Sequence, residues 1–462
     1  MKNKDILRNK IKEIIKESAG QSLATTRVVK LIDSLPFKKS VNAAGGEIYA
    51  VGGIVRDAIM QKASDDLDIV IRGIEFEKLM SILEHFGKAT DTTKYEDGET
   101  GKRGAVKFKP ADKVYRKYLD DNGVEEVIDI MLPKKEFNDP NTKGHKGLIS
   151  DVNPNYTIED DMERRDITIN AIAISQYGEI IDKDGQGQKD IKNGVIRAVS
   201  PSAFVEDPIR MIRSARFSAR YDYNIAPETI KAIKQHAAKL ADKKELPKER
   251  FLMEFEKMIG KTDLGRAVKL LVDLGMFLPI FGTNYSGIPY NEFNKVKYVF
   301  EMGYLMLKDK SNAASLYLQN IDNSKEGNKG IAALIDYDNE VRNRNLDSAT
   351  FAKKLSRIYK KSKLAFQSAF MEDDAKIIGD KFTTGELPVD PSDINFNGNL
   401  AIPYVKEYAE EKEIKITNAW MGPQIGKIKK AAVDAVYSGD IKNETSEIEN
   451  FIKDNIKKIM ES

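Results

Sequence analysis

From about residue 195 onward, apolar positions recur mainly at spacings of three and four, which predicts a helical second half beginning with runs over 208–221, 227–240 and 248–259. The first half is more varied. Ile6, Leu7, Ile11, Ile14 and Ile15 sit at helical spacing and mark a helical segment over residues 1–45 that ends near Pro36. A mixed α/β unit follows. Glu47 to Val51 reads as a short strand, and Gly52-Gly53 lets the backbone turn sharply into a helix carrying Ile54, Val55, Ala58 and Ile59. Asp66 to Ile71 reads as the next strand, followed by a helix around Phe76 to Phe86 and a polar loop from Thr90 to Gly104. A strand pair, Ala105 to Phe108 and Val127 to Met131, completes the sheet. Asn395 to Asn399 and Gly422 to Gly426 are expected to be turns between later helices.

Composition narrows the chemistry. The length of 462 residues suits about three domains by the usual prior, and a hydrophobic fraction of 41% supports buried cores. Lys+Arg 74 against Asp+Glu 72 leaves a net charge of +2, so partner choice rests on local patches. Cysteine is absent, which rules out disulfides and cysteine-based zinc sites and leaves carboxylates as the main metal ligands. The N-terminal residues are charged and no apolar window is long enough to span a bilayer, so no membrane partner and a cytoplasmic location are expected.

Side chains alternate along a strand, so Asp66 and Asp68 point one way while Leu67 points into the core. Such a carboxylate pair suits oxygen-loving Mg²⁺, and the helix start after Gly52-Gly53 offers amides to a triphosphate. Asp129, interrupting an apolar strand, is a candidate third carboxylate. The competing reading is an exposed acidic strand end after an ordinary glycine turn. Other phosphate motifs fit worse: Phe255 stands where a Walker A loop ending in Gly260-Lys261-Thr262 needs its first glycine, and Asp190 takes the third glycine position of a dinucleotide fingerprint.

A second constellation begins at Arg164-Arg165-Asp166-Ile167-Thr168-Ile169-Asn170, where helix capping by Asp166 or Thr168 also explains the polar residues. Glu206-Asp207-Pro208-Ile209-Arg210 likewise fits an N-cap followed by a first-turn proline. Beyond it, Arg210, Arg213 and Arg216 recur at every third position, and cations stacked so closely repel unless an anion compensates them. Lys353, Arg357 and Lys360, near Tyr359 and Phe366, suit either an RNA backbone or a solvated lysine face.

In order, G-G-x-V-R-D, D-x-D, R-R-D-x-T-x-N-A and E-D-P-x-R-x-x-R-x-x-R-F strongly resemble class II CCA-adding tRNA nucleotidyltransferases and their bacterial poly(A) polymerase relatives. Asp182, Gly187 and Asp190 resemble the family's head–neck hinge motif; Leu246-Pro247-Lys248-Glu249-Arg250 with Glu254 resembles its neck-helix motif. The turn Gly422-Pro423-x-x-Gly426 is similar to one in the family's tail. The resemblance implies an α+β fold: a small mixed-sheet nucleotidyltransferase head followed by an elongated all-helical neck, body and tail. The implied segments are an N-terminal helical segment (1–45), a catalytic head (46–180), a base-reading neck (181–260) and a tRNA-binding body and tail (261–462).

By the same resemblance Asp66 and Asp68 hold Mg²⁺, Gly53 and Arg56 contact the nucleotide, Arg165 meets triphosphate or ribose, and Asp166 meets the ribose 2′-hydroxyl. Asp207 and Arg210 match side chains that read the incoming base, and Arg213 and Arg216 match further nucleotide-binding arginines. A carboxylate accepts from the exocyclic amino group shared by cytosine and adenine, which uracil and guanine lack at that edge. The expected reaction is template-independent addition of CMP, CMP and AMP to a tRNA 3′ end from CTP and ATP, with release of pyrophosphate. The alternatives are a poly(A) polymerase, a partial CC- or A-adding enzyme, or an RNA-binding protein with a vestigial head. The stretch between Asp68 and Arg164 departs from the family pattern. His85, His145 and His236 are the only histidines and none precedes Asp, so the phosphohydrolase domain of many relatives is not expected. Oligomeric state is not legible.

Overall fold

Ile69, Val70 and Ile71 are all fully buried, and so are the four residues Ile172–Ser175, because the strands that carry them are covered on both faces. A computed structural model describes residues 23–64, 66–92, 104–138, 148–242, 246–285, 287–308 and 325–462. Ile6 to Ile15 of the expected first helix and residues 93–103 of the expected loop lie outside them. The chain divides into two compact units, Met1–Gly282 and Thr283–Ser462.

In the first unit, a helix over residues 23–34 (α1) precedes α2 (Lys38–Ala43), β1 (Glu47–Val51), α3 (Gly53–Ile59), β2 (Asp68–Arg72), α4 (Phe76–Glu84), β3 (Gly87–Asp91) and β4 (Ala105–Pro110). Then come α5 (Lys113–Asp121), β5 (Ile128–Met131), the hairpin β6 (Lys134–Asn138) and β7 (Leu148–Val152), α6 (Ile158–Glu163), β8 (Ile172–Ser175) and β9 (Ile180–Asp182). Seven strands form one mixed sheet in the order β3-β4-β5-β2-β1-β8-β9, in which only β2 and β5 run parallel. Val51, Val70, Ala171 and Ala173 pack on Ile158 and Met162 of α6. At the other end Phe37 meets Phe108 edge-on at 5.2 Å.

Helices take over after β9 with α7 (Gln186–Asn193). Asp182 accepts from the Gly187 and Gln188 amides, both at 2.9 Å, tying the last strand to the start of α7. Asp190 is buried and accepts from Thr168 Oγ1 at 2.7 Å and Arg197 Nε at 3.0 Å. The residues matched to a hinge thus form a polar lock. Next come β10 (Val195–Ile196), α8 (Ala203–Glu206), α9 (Ile209–Tyr221), β11 (Asn224–Ile225), α10 (Pro227–His236), α11 (Lys248–Glu256), α12 (Leu264–Asp273) and α13 (Phe277–Phe281). Phe251 and Phe255 of α11 pack on Phe281 of α13, with the Phe251–Phe281 centroids 5.7 Å apart.

The second unit contains the helices Val299–Lys308, Lys325–Glu340, Ser348–Lys361, Asp373–Thr384, Gly398–Glu411, Asn418–Ser438 and Thr445–Glu461. Tyr304, Tyr337, Leu355, Val405, Ile428 and Ile452 belong to its core. Of the expected turn Asn395 to Asn399, residues 395–397 lie between a 3₁₀ turn at Pro391–Asp393 and the helix Gly398–Glu411, which Asn397 caps, while Gly398 and Asn399 already belong to that helix. Gly422 to Gly426 does not form a turn: it lies inside the helix Asn418–Ser438, with Pro423 accommodated between the Thr417 cap and the buried stripe of Ile428, Ala432 and Val436. Tertiary packing here outweighs the local breakers. Lys353 and Lys360 pair with Asp434 and Asp390, and Tyr359 and Phe366 are buried against each other, so neither of these two rings is free to stack on a ligand. No helix among the described residues is long and apolar enough to cross a membrane.

A Cβ at Gly187 would lie 2.6 Å from both the Thr168 carbonyl oxygen and Ile172 Cγ1. Gly187→Ala is therefore expected to cost about 1–3 kcal/mol through overpacking, read as a lowered midpoint in urea unfolding; an unshifted midpoint would show that the polar lock tolerates a wider gap.

Candidate active site

The turn between β1 and α3 places backbone where side chains do not fit. Gly52 has φ 70°, and a Cβ there would sit 3.2 Å from both Arg165 Nη1 and Asp68 Oδ2. Beside it, sheet register aligns Val51 with Asp68, Asp68 with Asp129, and Lys107 with Asp129. Directly paired residues share a face, so Asp68, Asp129 and Lys107 project together. The strand starts at Asp68 rather than at Asp66, which precedes it as an exposed residue. Asp66 and Asp68 nevertheless line the same cavity, of about 690 Å³, together with Gly53 and Arg56.

Burial pushes the Asp68 carboxyl up to about 6; Asp129 and Asp66 add to the rise, and Arg165 and Lys107 oppose it. Asp129 does not line the cavity, and its carboxylate pairs with Lys107 at 3.0 Å. Among the described residues no three Asp, Glu, His or Cys side chains gather closely enough to hold a metal. Two carboxylates facing one cavity, one of them with its charge poorly solvated, still fit the oxygen-donor chemistry of a hard divalent cation.

Arginines fill the next layer. Asp161 on α6 is fully buried and accepts from Arg164 at 2.6 Å and Arg165 at 3.2 Å. Burial alone would raise its pKa, but the two guanidiniums hold it below the usual carboxylate range. Arg56 donates to Asp57 at 2.8 Å and to Asn170 Oδ1 at 2.6 Å, and it lies over the Tyr221 and Phe217 rings at 5.0 and 5.4 Å. Asp166 and Asn170 do not belong to one α-helix: residues 168–170 form a single 3₁₀ turn. They still meet, with Asn170 Nδ2 donating to Asp166 at 3.2 Å.

Charge pairs also join α9 to α11. Asp207 precedes α9 and accepts from the Ile209 amide at 3.3 Å, while Arg250 of α11 grips its two oxygens at 3.0 and 2.7 Å. Arg210 donates to Glu206 at 3.0 Å and to Glu136 of β6 at 2.8 Å. Arg213 bridges Asp166 at 2.8 Å and Glu254 at 3.2 Å, and Arg216 donates to Glu254 at 2.7 Å. The anion that the arginine stripe requires is thus supplied in part by Asp166 and Glu254. All these residues except Asp57, Asp161, Glu206 and Tyr221 line the one cavity with Asp66 and Asp68.

Two partners were hidden from sequence reasoning to different degrees. Asp161 left a local trace, standing three and four positions before the two arginines that it meets where α6 ends. Glu136 carried no comparable signal, since its partners Arg164 and Arg210 are 28 and 74 positions away.

Residues 48–197 match the family described as poly A polymerase head domain, and residues 222–282 match the probable RNA and SrmB-binding site of polymerase A. The Multifunctional CCA protein of Nitrosococcus oceani is 32% identical over 235 residues, covering 51% of this chain and 50% of that protein. The protein of the same name from Nitrosospira multiformis is 36% identical over 182 residues, covering 39% and 37%. The chain thus spans about half or less of the length of these relatives. The fold is similar to the crystal structure of the Bacillus stearothermophilus CCA-adding enzyme in complex with CTP, with TM-score 0.60, 22% identity and coverage of 95% of this chain and 99% of that one. It is also similar to the Thermotoga maritima CCA-adding enzyme complexed with tRNA, with TM-score 0.54, 20% identity and coverage of 92% and 94%.

Asp166 provides a check on the buried charges. Burial would raise its pKa, but Arg213, together with hydrogen bonds from Arg213, Asn170 and the Ile167 amide, holds it at about 2. Its pKa is lower folded than unfolded, so its contribution to stability is fully present above its ordinary value near ~4 and is lost as pH falls toward about 2. Asp166→Asn is expected to cost about 1–3 kcal/mol at neutral pH by taking from Arg213 one of its two carboxylate partners and leaving Glu254 as the other. In urea unfolding the gap between wild type and variant should narrow between pH ~4 and ~2; a gap independent of pH would contradict the assignment.

Proposed function

We infer that this chain, through residues 48–197 and 222–282, belongs to the family of poly(A) polymerases and class II CCA-adding tRNA nucleotidyltransferases. We propose that it adds CMP, CMP and AMP in turn to the 3′ end of tRNA, using CTP and ATP without a nucleic-acid template and releasing pyrophosphate. The observation that carries this reading is the sharing of one cavity by the carboxylates Asp66 and Asp68 and by the polar pair Asp207 and Arg210. A nucleoside triphosphate needs both ends: anionic oxygens to hold a metal, and a donor–acceptor pair to select a base.

In this reading residues 46–180 form the catalytic head, 181–260 the neck that reads the base, and 261–462 the body and tail that bind tRNA by shape and phosphate contacts. Asp66 and Asp68 would hold Mg²⁺, which when bound supplies charge neutralisation for the triphosphate and acidifies the RNA 3′-hydroxyl. Asp207 accepts from the exocyclic amino group of cytosine or adenine through oxygens already oriented by Arg250, and Arg210 donates to the neighbouring ring acceptor. Uracil and guanine leave that carboxylate facing a carbonyl, which costs a buried unpaired acceptor. Asp166 accepts from the ribose 2′-hydroxyl, and Gly53, Arg56, Arg165, Arg213 and Arg216 surround the sugar and phosphates. The proposed location is the cytoplasm, where tRNA, CTP and ATP occur together.

Purified protein incubated with Mg²⁺, CTP, ATP and tRNA ending before CCA should yield CCA ends on sequencing. An A tail on unrelated RNA would replace this reading with a poly(A) polymerase, and no addition would reject it. Asp68→Asn should lower addition by a factor of about 10³ or more while nucleotide binding persists; retained addition would sink the metal-holding role. Asp207→Ala combined with Arg210→Ala should admit UTP and GTP, and an unchanged preference for CTP and ATP would reject base reading by this pair.

A further inference from the structure

Glu136 projects from the β6–β7 hairpin, outside the seven-stranded sheet, into the cavity where the triphosphate is proposed to lie. Its side chain is only 10% exposed. One oxygen accepts from Lys134 Nζ at 2.9 Å and Arg164 Nη1 at 3.3 Å, and the other accepts from Arg210 Nη2 at 2.8 Å. Burial by itself would raise the pKa of this carboxylate; the three cations instead bring it below its ordinary value, so it stays ionised. On the far side of Arg210, Nη1 donates to Glu206 at 3.0 Å and to the Ala203 carbonyl at 3.4 Å. The guanidinium is thus held at both η nitrogens.

A guanidinium is planar, and anchoring both η nitrogens fixes the plane in which its remaining N–H groups point. Asp207 is braced in the same way by Arg250. A donor–acceptor pair discriminates between bases only if neither member can swing to suit the wrong one, because a mobile donor finds an acceptor on any base. Glu206 belongs to the same short stretch as Arg210 and moves with it, whereas Glu136 comes from the head hairpin 74 positions earlier in the chain. Its contact ties Arg210 to the β6–β7 hairpin, an element separate from the one that carries Arg210.

We propose that Glu136 is a positioning residue for nucleotide choice: by fixing the guanidinium of Arg210 it makes the pyrimidine and purine edges of CTP and ATP distinguishable from those of UTP and GTP. The inference rests on the proposed base-reading role of Asp207 and Arg210. It assigns to the hairpin a part in specificity rather than in transfer.

The test compares Glu136→Gln, which keeps shape and removes charge, with Glu136→Asp, which keeps charge on a shorter stem. Ratios of kcat/KM for CTP over UTP are measured on tRNA ending before CCA, and equilibrium binding of CTP and UTP with Mg²⁺ is measured in parallel without RNA. Glu136→Gln should lower the CTP:UTP ratio by about tenfold or more, chiefly by admitting UTP, while Glu136→Asp restores part of it. In an Arg210→Ala background Glu136→Gln should change the ratio no further. Equal losses for all nucleotides, an unchanged ratio, or a further drop without Arg210 would overturn the proposal. If wild type transfers nothing but binds CTP over UTP, and Glu136→Gln erases that preference, the proposed activity fails while the role of Glu136 stands; equal binding of CTP and UTP by wild type rejects both.

Discussion

Ten cationic side chains line one cavity with only six carboxylates, and the first unit must hold this imbalance together. Arginines forced side by side on a helix repel, and a buried one left without a partner costs several kcal/mol. Several carboxylates in and behind the cavity are therefore shared. Glu254 serves Arg213 and Arg216, Asp161 serves Arg164 and Arg165, and Glu136 serves Lys134, Arg164 and Arg210. Arg213 in turn ties Asp166, beside the sheet, to Glu254 on α11. The same pairs that position the site join its helices to its sheet, and the positive excess left over suits a polyanionic ligand.

Sequence reasoning reached the parts of this arrangement whose causes are local. Alternation, glycine turns and helical stripes identified the central strands, the β1–α3 turn and the helices after residue 195, because each depends on neighbours within a few positions. The resemblance to a known family then brought Arg165, Asp166, Asp207 and Arg210 together, as the cavity does. Long-range effects were harder to read. The partnership of Glu136 with Arg210 spans 74 positions, and no periodicity carries information across such a gap. Pro423 misled in the opposite direction: a strong local breaker lost to the cap at Thr417 and the buried face beyond it.

Asp66 and Asp129 show the limit between pattern and register. Alternation alone put Asp66 in the strand with Asp68, yet the ladder begins one residue after Leu67. Alternation could not say which strand would lie beside β2, whereas the parallel pairing with β5 sets Asp129 against Asp68 on the same face. Lys107, opposite Asp129 on β4, then pairs with that carboxylate. The acids were visible in the chain; their division between cavity and sheet surface is a property of strand order.

That order has a bearing on how the protein can change over time. Because β2 and β5 are parallel, the chain must cross from the end of one to the start of the other, and residues 73–127 make this crossing. Along the way they lay β4 and β3 outside β5, at the edge of the sheet farthest from β8 and β9. A change in β3 falls at this margin, where no strand of the sheet lies beyond it. Two strands separate Asp68 on β2 from that edge strand, so β3 can shorten or slip without disturbing the register that aims the carboxylate.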